Sequence, residues 1–181
     1  NAPMTVVIND AGREGADHEQ WDNYPEVGYQ LERGNQVLVL SILFTGDANP
    51  LNGDAGRFGY MMNAIGQPPL GLEAAQLIGI TQWAKQNWRP AQIALESSGY
   101  RMQMVSLVAG ALEPHLFKSV AIHGGMHSLN YIFEGQVRSD KVPDMFCRDL
   151  YKEFDLDMLK AMSAPAIITE SDFAEPAASK Q

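Results

Sequence analysis

A serine, a histidine and an aspartate able to do acyl-transfer chemistry are spread along this chain: Ser97, His123 and Asp172. A serine hydroxyl attacks a carbonyl well only when an adjacent base takes its proton. An aspartate then orients the base and stabilises its charged form. Ser97 lies within Gln92-Ile93-Ala94-Leu95-Glu96-Ser97-Ser98-Gly99-Tyr100-Arg101-Met102. A short apolar run comes first and a Ser-Ser-Gly corner follows. Met102, Met104, Val105, Leu107, Val108 and Leu112 then continue as a long apolar segment without proline. That order reads as buried strand, sharp turn, buried helix. Such a turn lifts a serine hydroxyl above the edge of a sheet, and the helix N-terminus behind it favours developing negative charge.

The fit to a Gly-x-Ser-x-Gly turn is partial. Gly99 fills the second glycine, whereas Leu95 stands at the first. The same residues suit an ordinary strand-to-helix turn in which Ser97 or Ser98 caps the helix. Asp172 falls a few residues past a strand introduced by Pro165, where the acid of a nucleophile–acid–histidine chain order belongs; a turn carboxylate is the plain alternative. No histidine follows it, because His18, His115, His123 and His127 all come earlier. His123, at the end of the strand after the corner, is the candidate base; a hydrogen-bonded, partly buried histidine is its bland reading. The Ser98 backbone N–H and an N–H near Asp10 are the candidate oxyanion donors. His123 and His127 are four apart, but Gly124-Gly125 between them argues against the helix that two metal ligands would need. No metal and no cofactor is expected.

These residues need a scaffold. Met4–Ile8, Asn35–Phe44, Ala91–Leu95, Ser119–Ile122 and Ala166–Thr169 read as buried strands. Helices are expected from about Gln20 to Glu32, over Tyr60–Ile65, over Leu72–Gln86, and from the corner to Leu112. Two more are expected around Asp144–Lys152 and Asp157–Met162, with Asp155 as cap. Thr45–Phe58 reads as a long irregular loop, Ser128–Asp140 as a surface excursion, and the tail past Glu175 as frayed. Strands alternating with helices predict a three-layer α/β fold with a mostly parallel sheet, in one domain over residues 1–181. Ligands of such sheets bind at the carboxyl ends of the strands.

The composition restricts partners. A chain of 181 residues with 45% hydrophobic content is globular, and its net charge of −9 argues against a nucleic-acid or anionic membrane partner. No apolar run is long enough to cross a bilayer, and no signal peptide is read. The lone Cys147 leaves the compartment open.

Several stretches together resemble the acetylxylan-esterase-like branch of the α/β-hydrolases. They are Tyr60-Met61-Met62-Asn63-Ala64-Ile65-Gly66-Gln67-Pro68-Pro69-Leu70-Gly71, Ser97-Ser98-Gly99-Tyr100-Arg101, and Ala109-Gly110-Ala111-Leu112-Glu113-Pro114-His115-Leu116-Phe117. Asp144-Met145-Phe146-Cys147 and Tyr151-Lys152-Glu153-Phe154-Asp155-Leu156 complete the series, which spans roughly residues 4 to 172. The chain looks like a second, eroded hydrolase-like repeat of long bacterial carbohydrate-esterase-like proteins. The resemblance implies an incomplete α/β-hydrolase core and a secreted or periplasmic setting. It also implies that the Val37–Phe44 strand sits on a sheet edge, which a companion domain or chain would cover.

Two functions follow as expectations. One is a carboxylic-ester hydrolase acting on ester-substituted polysaccharide or a small ester, with Ser97 as nucleophile, Asp172 orienting a histidine, and His123 or an outside residue as base. The other is a non-catalytic hydrolase-like domain that scaffolds an active esterase partner or binds carbohydrate, with Trp21, Trp83 and Trp88 as stacking surfaces.

Overall fold

A computed structural model describes residues 1–13, 25–49, 54–135, 137–147 and 149–175. The expected helical stretch 20–24 and the far tail lie outside the described residues. Among the described residues five strands form one all-parallel sheet: β1 (Met4–Asn9), β2 (Gln36–Leu40), β3 (Ile93–Ser98), β4 (Ser119–His123) and β5 (Ile167–Ser171). Their spatial order is β2-β1-β3-β4-β5. β2 is therefore an edge strand of the described sheet.

Parallel strands need long crossovers, and helices supply them. The described helices are α1 (Pro25–Glu32), α2 (Ala55–Ala64), α3 (Pro69–Trp88), α4 (Tyr100–Leu112), α5 (Tyr131–Glu134), α6 (Leu150–Glu153) and α7 (Leu156–Met162). α3 starts sharply because Pro68 caps it and Pro69 takes the first turn, where a missing N–H costs nothing. Asp155 caps α7 by accepting from the Leu156 N–H at 2.7 Å.

The period-two pattern of β1 decides the layers. Met4, Val6 and Ile8 join Ile93, Leu95, Val120 and Ile122 in the main core, together with Leu77 of α3, Met104 and Leu107 of α4, and Leu159 of α7. Val7 points the other way and meets Val27 of α1, with Val37 and Val39 alongside. Each fully buried aliphatic side chain contributes roughly 1.5–3 kcal/mol of transfer free energy, so the α3–α4–α7 side carries most of the stabilisation. The result is the expected three-layer arrangement.

Five expectations shift. The second strand ends at Leu40, not Phe44. Its apolar tail still reaches the core, because Thr45 turns back on the Ile42 carbonyl through both its N–H at 2.9 Å and its hydroxyl at 2.6 Å. That turn buries Ile42 and Phe44 from a loop. The third strand runs on through Ser98, past the expected end at Leu95. The helix expected at 60–65 begins at Ala55, capped by Asp54, whose carboxylate accepts from the Arg57 N–H. The helix expected over 144–152 divides into a 3-10 turn at Pro143–Met145 and α6, while α5 interrupts the expected surface excursion and buries Ile132.

Candidate active-site corner

β3, β4 and β5 end on one rim, as the register requires: Ser98 aligns with His123, and His123 with Ser171. The corners beyond them are stitched together through the backbone. The Gly99 N–H donates to the His123 carbonyl at 2.8 Å, and the Gly124 N–H donates to the Ser171 carbonyl at 3.0 Å. Sequence reasoning brought the corner, His123 and Asp172 to the same rim, and the fold agrees.

The side chains at the rim are another matter. Ser97 lies inside β3, paired with Ile8 on one side and Ile122 on the other. It is 0% exposed, and its hydroxyl donates to the Ala121 carbonyl at 3.4 Å. The strand reverses two residues later, at Gly99, with φ 98° and ψ 159°. Only glycine adopts such a backbone at little cost. The residue presented at the strand-to-helix reversal is thus Gly99, the position from which a nucleophile would project. Ser97 and His123 are not brought together by any hydrogen bond.

Asp10 explains why the corner tolerates no side chain. A Cβ built on Gly99 would lie 2.2 Å from Asp10 Cγ, and 2.3 Å and 2.6 Å from its two carboxylate oxygens. The carboxylate enters this space because the first amides of α4 attract it. It accepts from the Met102 N–H at 2.9 Å and from the Arg101 N–H at 3.4 Å. An anion at a helix N-terminus satisfies orphan donors and the helix dipole together. Burial pushes the Asp10 carboxyl up to about 6, against the opposing pull of the Arg101 guanidinium and the two amides. One expected oxyanion donor is already engaged: the Asp10 N–H donates to the Ser98 carbonyl at 3.0 Å.

The other two candidates do meet, through an intermediary. His123 Nδ1 lies 2.9 Å from Ser171 Oγ, and the Ser171 hydroxyl donates to the Asp172 carboxylate at 2.8 Å. With that hydroxyl donating, Nδ1 carries the proton and donates in turn. Asp172 sits at φ 54°, a left-handed turn position that short polar residues accept. His127, the other member of the spaced pair, stacks on Phe173 with ring centroids 3.8 Å apart. Among the described residues no three His, Cys, Asp or Glu side chains converge as metal ligands would.

Behind Asp10 lies a charged cluster that sequence reasoning missed. Arg101 donates from Nε to Asp144 at 2.8 Å and from Nη2 to the Phe44 carbonyl at 3.2 Å. Glu73 of α3 lies 4.0 Å from the same guanidinium. Glu73 is 0% exposed, and among the described residues neither of its oxygens has a hydrogen bond. Burial, and next the Asp144 carboxylate, hold its carboxyl well above the usual range. The advance signal is that Arg101 and Glu73 stand at apolar-phase positions of their helices.

No family model matches the sequence, and no curated relative matches it either. Solved structures do match the fold. A putative acetyl xylan esterase from Bacteroides fragilis superposes with a TM-score of 0.70 at 13% identity, covering 95% of this chain and 52% of that one. A CE15 glucuronoyl esterase from Teredinibacter turnerae superposes with a TM-score of 0.50 at 14% identity, covering 94% and 49%. The chain spans about half the length of these structures. It has an α/β-hydrolase-like fold of the kind these esterases carry.

Proposed function

We propose that this chain is a carbohydrate-esterase-like hydrolase domain without serine-esterase activity of its own, serving as a binding and packing module beside an esterase. One observation carries the reading: the Asp10 carboxylate fills the volume at Gly99 that a nucleophile's side chain would need. An eroded hydrolase repeat fits the same facts, because with Gly99 at the elbow Ser97 and Arg101 stand where its flanking glycines would be. The position of β2 on a sheet edge supports a companion that pairs with or covers it.

An ester hydrolase using Ser97 is the competing reading. The His123–Ser171–Asp172 chain favours it, since an oriented base and an acid stand ready on the rim. Against it, Ser97 would have to leave the interior of the sheet to meet either base or substrate.

A fluorophosphonate probe separates the two. The chain and its Ser97→Ala variant should both stay unlabelled and should turn over p-nitrophenyl acetate at the same background rate. Labelling that disappears in the variant would restore the hydrolase reading.

A further inference from the structure

A cavity of about 870 Å³ lies between α2 and a wall that includes Phe133, Pro143, Phe146 and Tyr151. Asp10, Ser97, Gly99, His123 and Asp172 are not among its walls. Its volume is in the range that small-molecule sites occupy, roughly 300–1,000 Å³.

Two glycines build it. A Cβ on Gly56 would come 2.7 Å from the Asp140 carbonyl oxygen, and one on Gly59 would come 2.3 Å from Pro143 Cβ. Their absence lets the α2 backbone lie directly on the 140–143 segment. The neighbouring side chains then project past the contact. Tyr60 and Phe133 stand 64% and 72% exposed at the mouth, while Phe146 and Tyr151 line the interior half-buried. The far wall is anchored to the fold, because Asp144, between Pro143 and Phe146, is held by the buried Arg101.

The polar groups set the kind of ligand. Asn63 donates to the Gly59 carbonyl at 3.1 Å, and among the described residues nothing donates to its amide oxygen. Ser139 lies 3.5 Å from the Tyr60 hydroxyl. Asp149 and Lys152 pair at 3.1 Å and cancel each other's charge. In a chain of net charge −9, this lining is neutral. Open aromatic faces, amide and hydroxyl edges and no net charge suit a ligand with flat C–H faces and a hydroxyl rim. The lining is mostly apolar, which suits the C–H faces, and its few amide and hydroxyl groups suit the hydroxyl rim.

We propose that this cavity binds a short neutral oligosaccharide, its sugar rings stacked on Tyr60 and Phe133. The proposal rests on the reading of the chain as a carbohydrate-esterase-like module and gives that module its binding site.

The test uses the whole chain, nitrogen-15 labelled, titrated with xylotetraose and separately with laurate. Xylotetraose should shift amide signals from Gly56 to Asn63 and from Cys147 to Lys152. Tyr60→Ala and Phe133→Ala should each weaken binding at least tenfold while thermal unfolding stays within a degree or two, since both rings are exposed. No shift with xylotetraose, equal binding in both variants, shifts centred on Trp83 and Trp88, or a preference for laurate would each overturn the proposal. Failure here leaves the probe result at Ser97 untouched, and a labelled Ser97 would refute the non-catalytic reading without emptying this cavity.

Discussion

Gly99 and Asp10 claim one volume: a methyl group on the glycine would overlap the aspartate carboxylate, with 2.2 Å between Cβ and Cγ. The carboxylate is there because two α4 amides bind it, and the glycine is there because the reversal needs a positive φ. Each condition sustains the other.

That dependence is measurable by a double-mutant cycle in urea. Gly99→Ser should cost about 2–4 kcal/mol, combining backbone strain and overpacking. Asp10→Ala should cost about 1–2 kcal/mol through loss of the cap. The double variant should be more stable than the sum predicts, by at least about 1 kcal/mol. Additive costs would show that the two residues do not share the space.

Proton linkage gives a second measurement. The Asp10 carboxyl is raised to about 6 by burial, so the folded state binds the proton more tightly than the unfolded chain. Its contribution to stability is then fully present below about pH 4 and is lost as pH rises through about 6. The native chain should therefore gain on Asp10→Asn, by on the order of 2 kcal/mol, between pH 7 and pH 4. A flat difference across that window would mean the carboxylate is not held as described.

The Arg101 cluster should respond asymmetrically. Arg101→Met leaves the Asp144 carboxylate buried without its cation and should cost about 3–5 kcal/mol. Glu73→Gln keeps shape and resembles the protonated acid, so at neutral pH it should change stability by less than about 1 kcal/mol. Chemical denaturation of the two variants checks both; a large loss in Glu73→Gln would mean the ionised carboxylate supports the fold.

Much of this architecture could be read in the residues, and the misses have physical causes. Met4–Ile8 and the later β-branched runs showed their strands because both faces are covered, so apolarity is unbroken. Asp155 was legible as a cap because its chemistry is local. The reversal falls within positions 97–99, as the residues imply, but it turns at Gly99 and leaves Ser97 in the strand. The Ser-x-Gly spacing drew attention to Ser97, yet only Gly99 of the three tolerates a left-handed backbone, and Leu95 was already the sign that the strand continues. The Asp10 carboxylate in that corner joins residues 91 and 92 positions apart. No periodicity encodes such a contact.

The edge at β2 yields a prediction about association. With Leu38 and Leu40 only partly buried and one side of the strand unpaired in the described sheet, the isolated chain should self-associate or bind an apolar dye. Light scattering and dye fluorescence test this; a clean monomer that leaves the dye dark would remove the argument for a companion.

The occupied corner also constrains substitution. A serine placed at 99 while Asp10 stays meets a filled space, and an aspartate removed from 10 while Gly99 stays uncovers two amides at a helix end. A side chain at 99 is therefore reached only by changing both positions together, so neither can be varied by itself without cost.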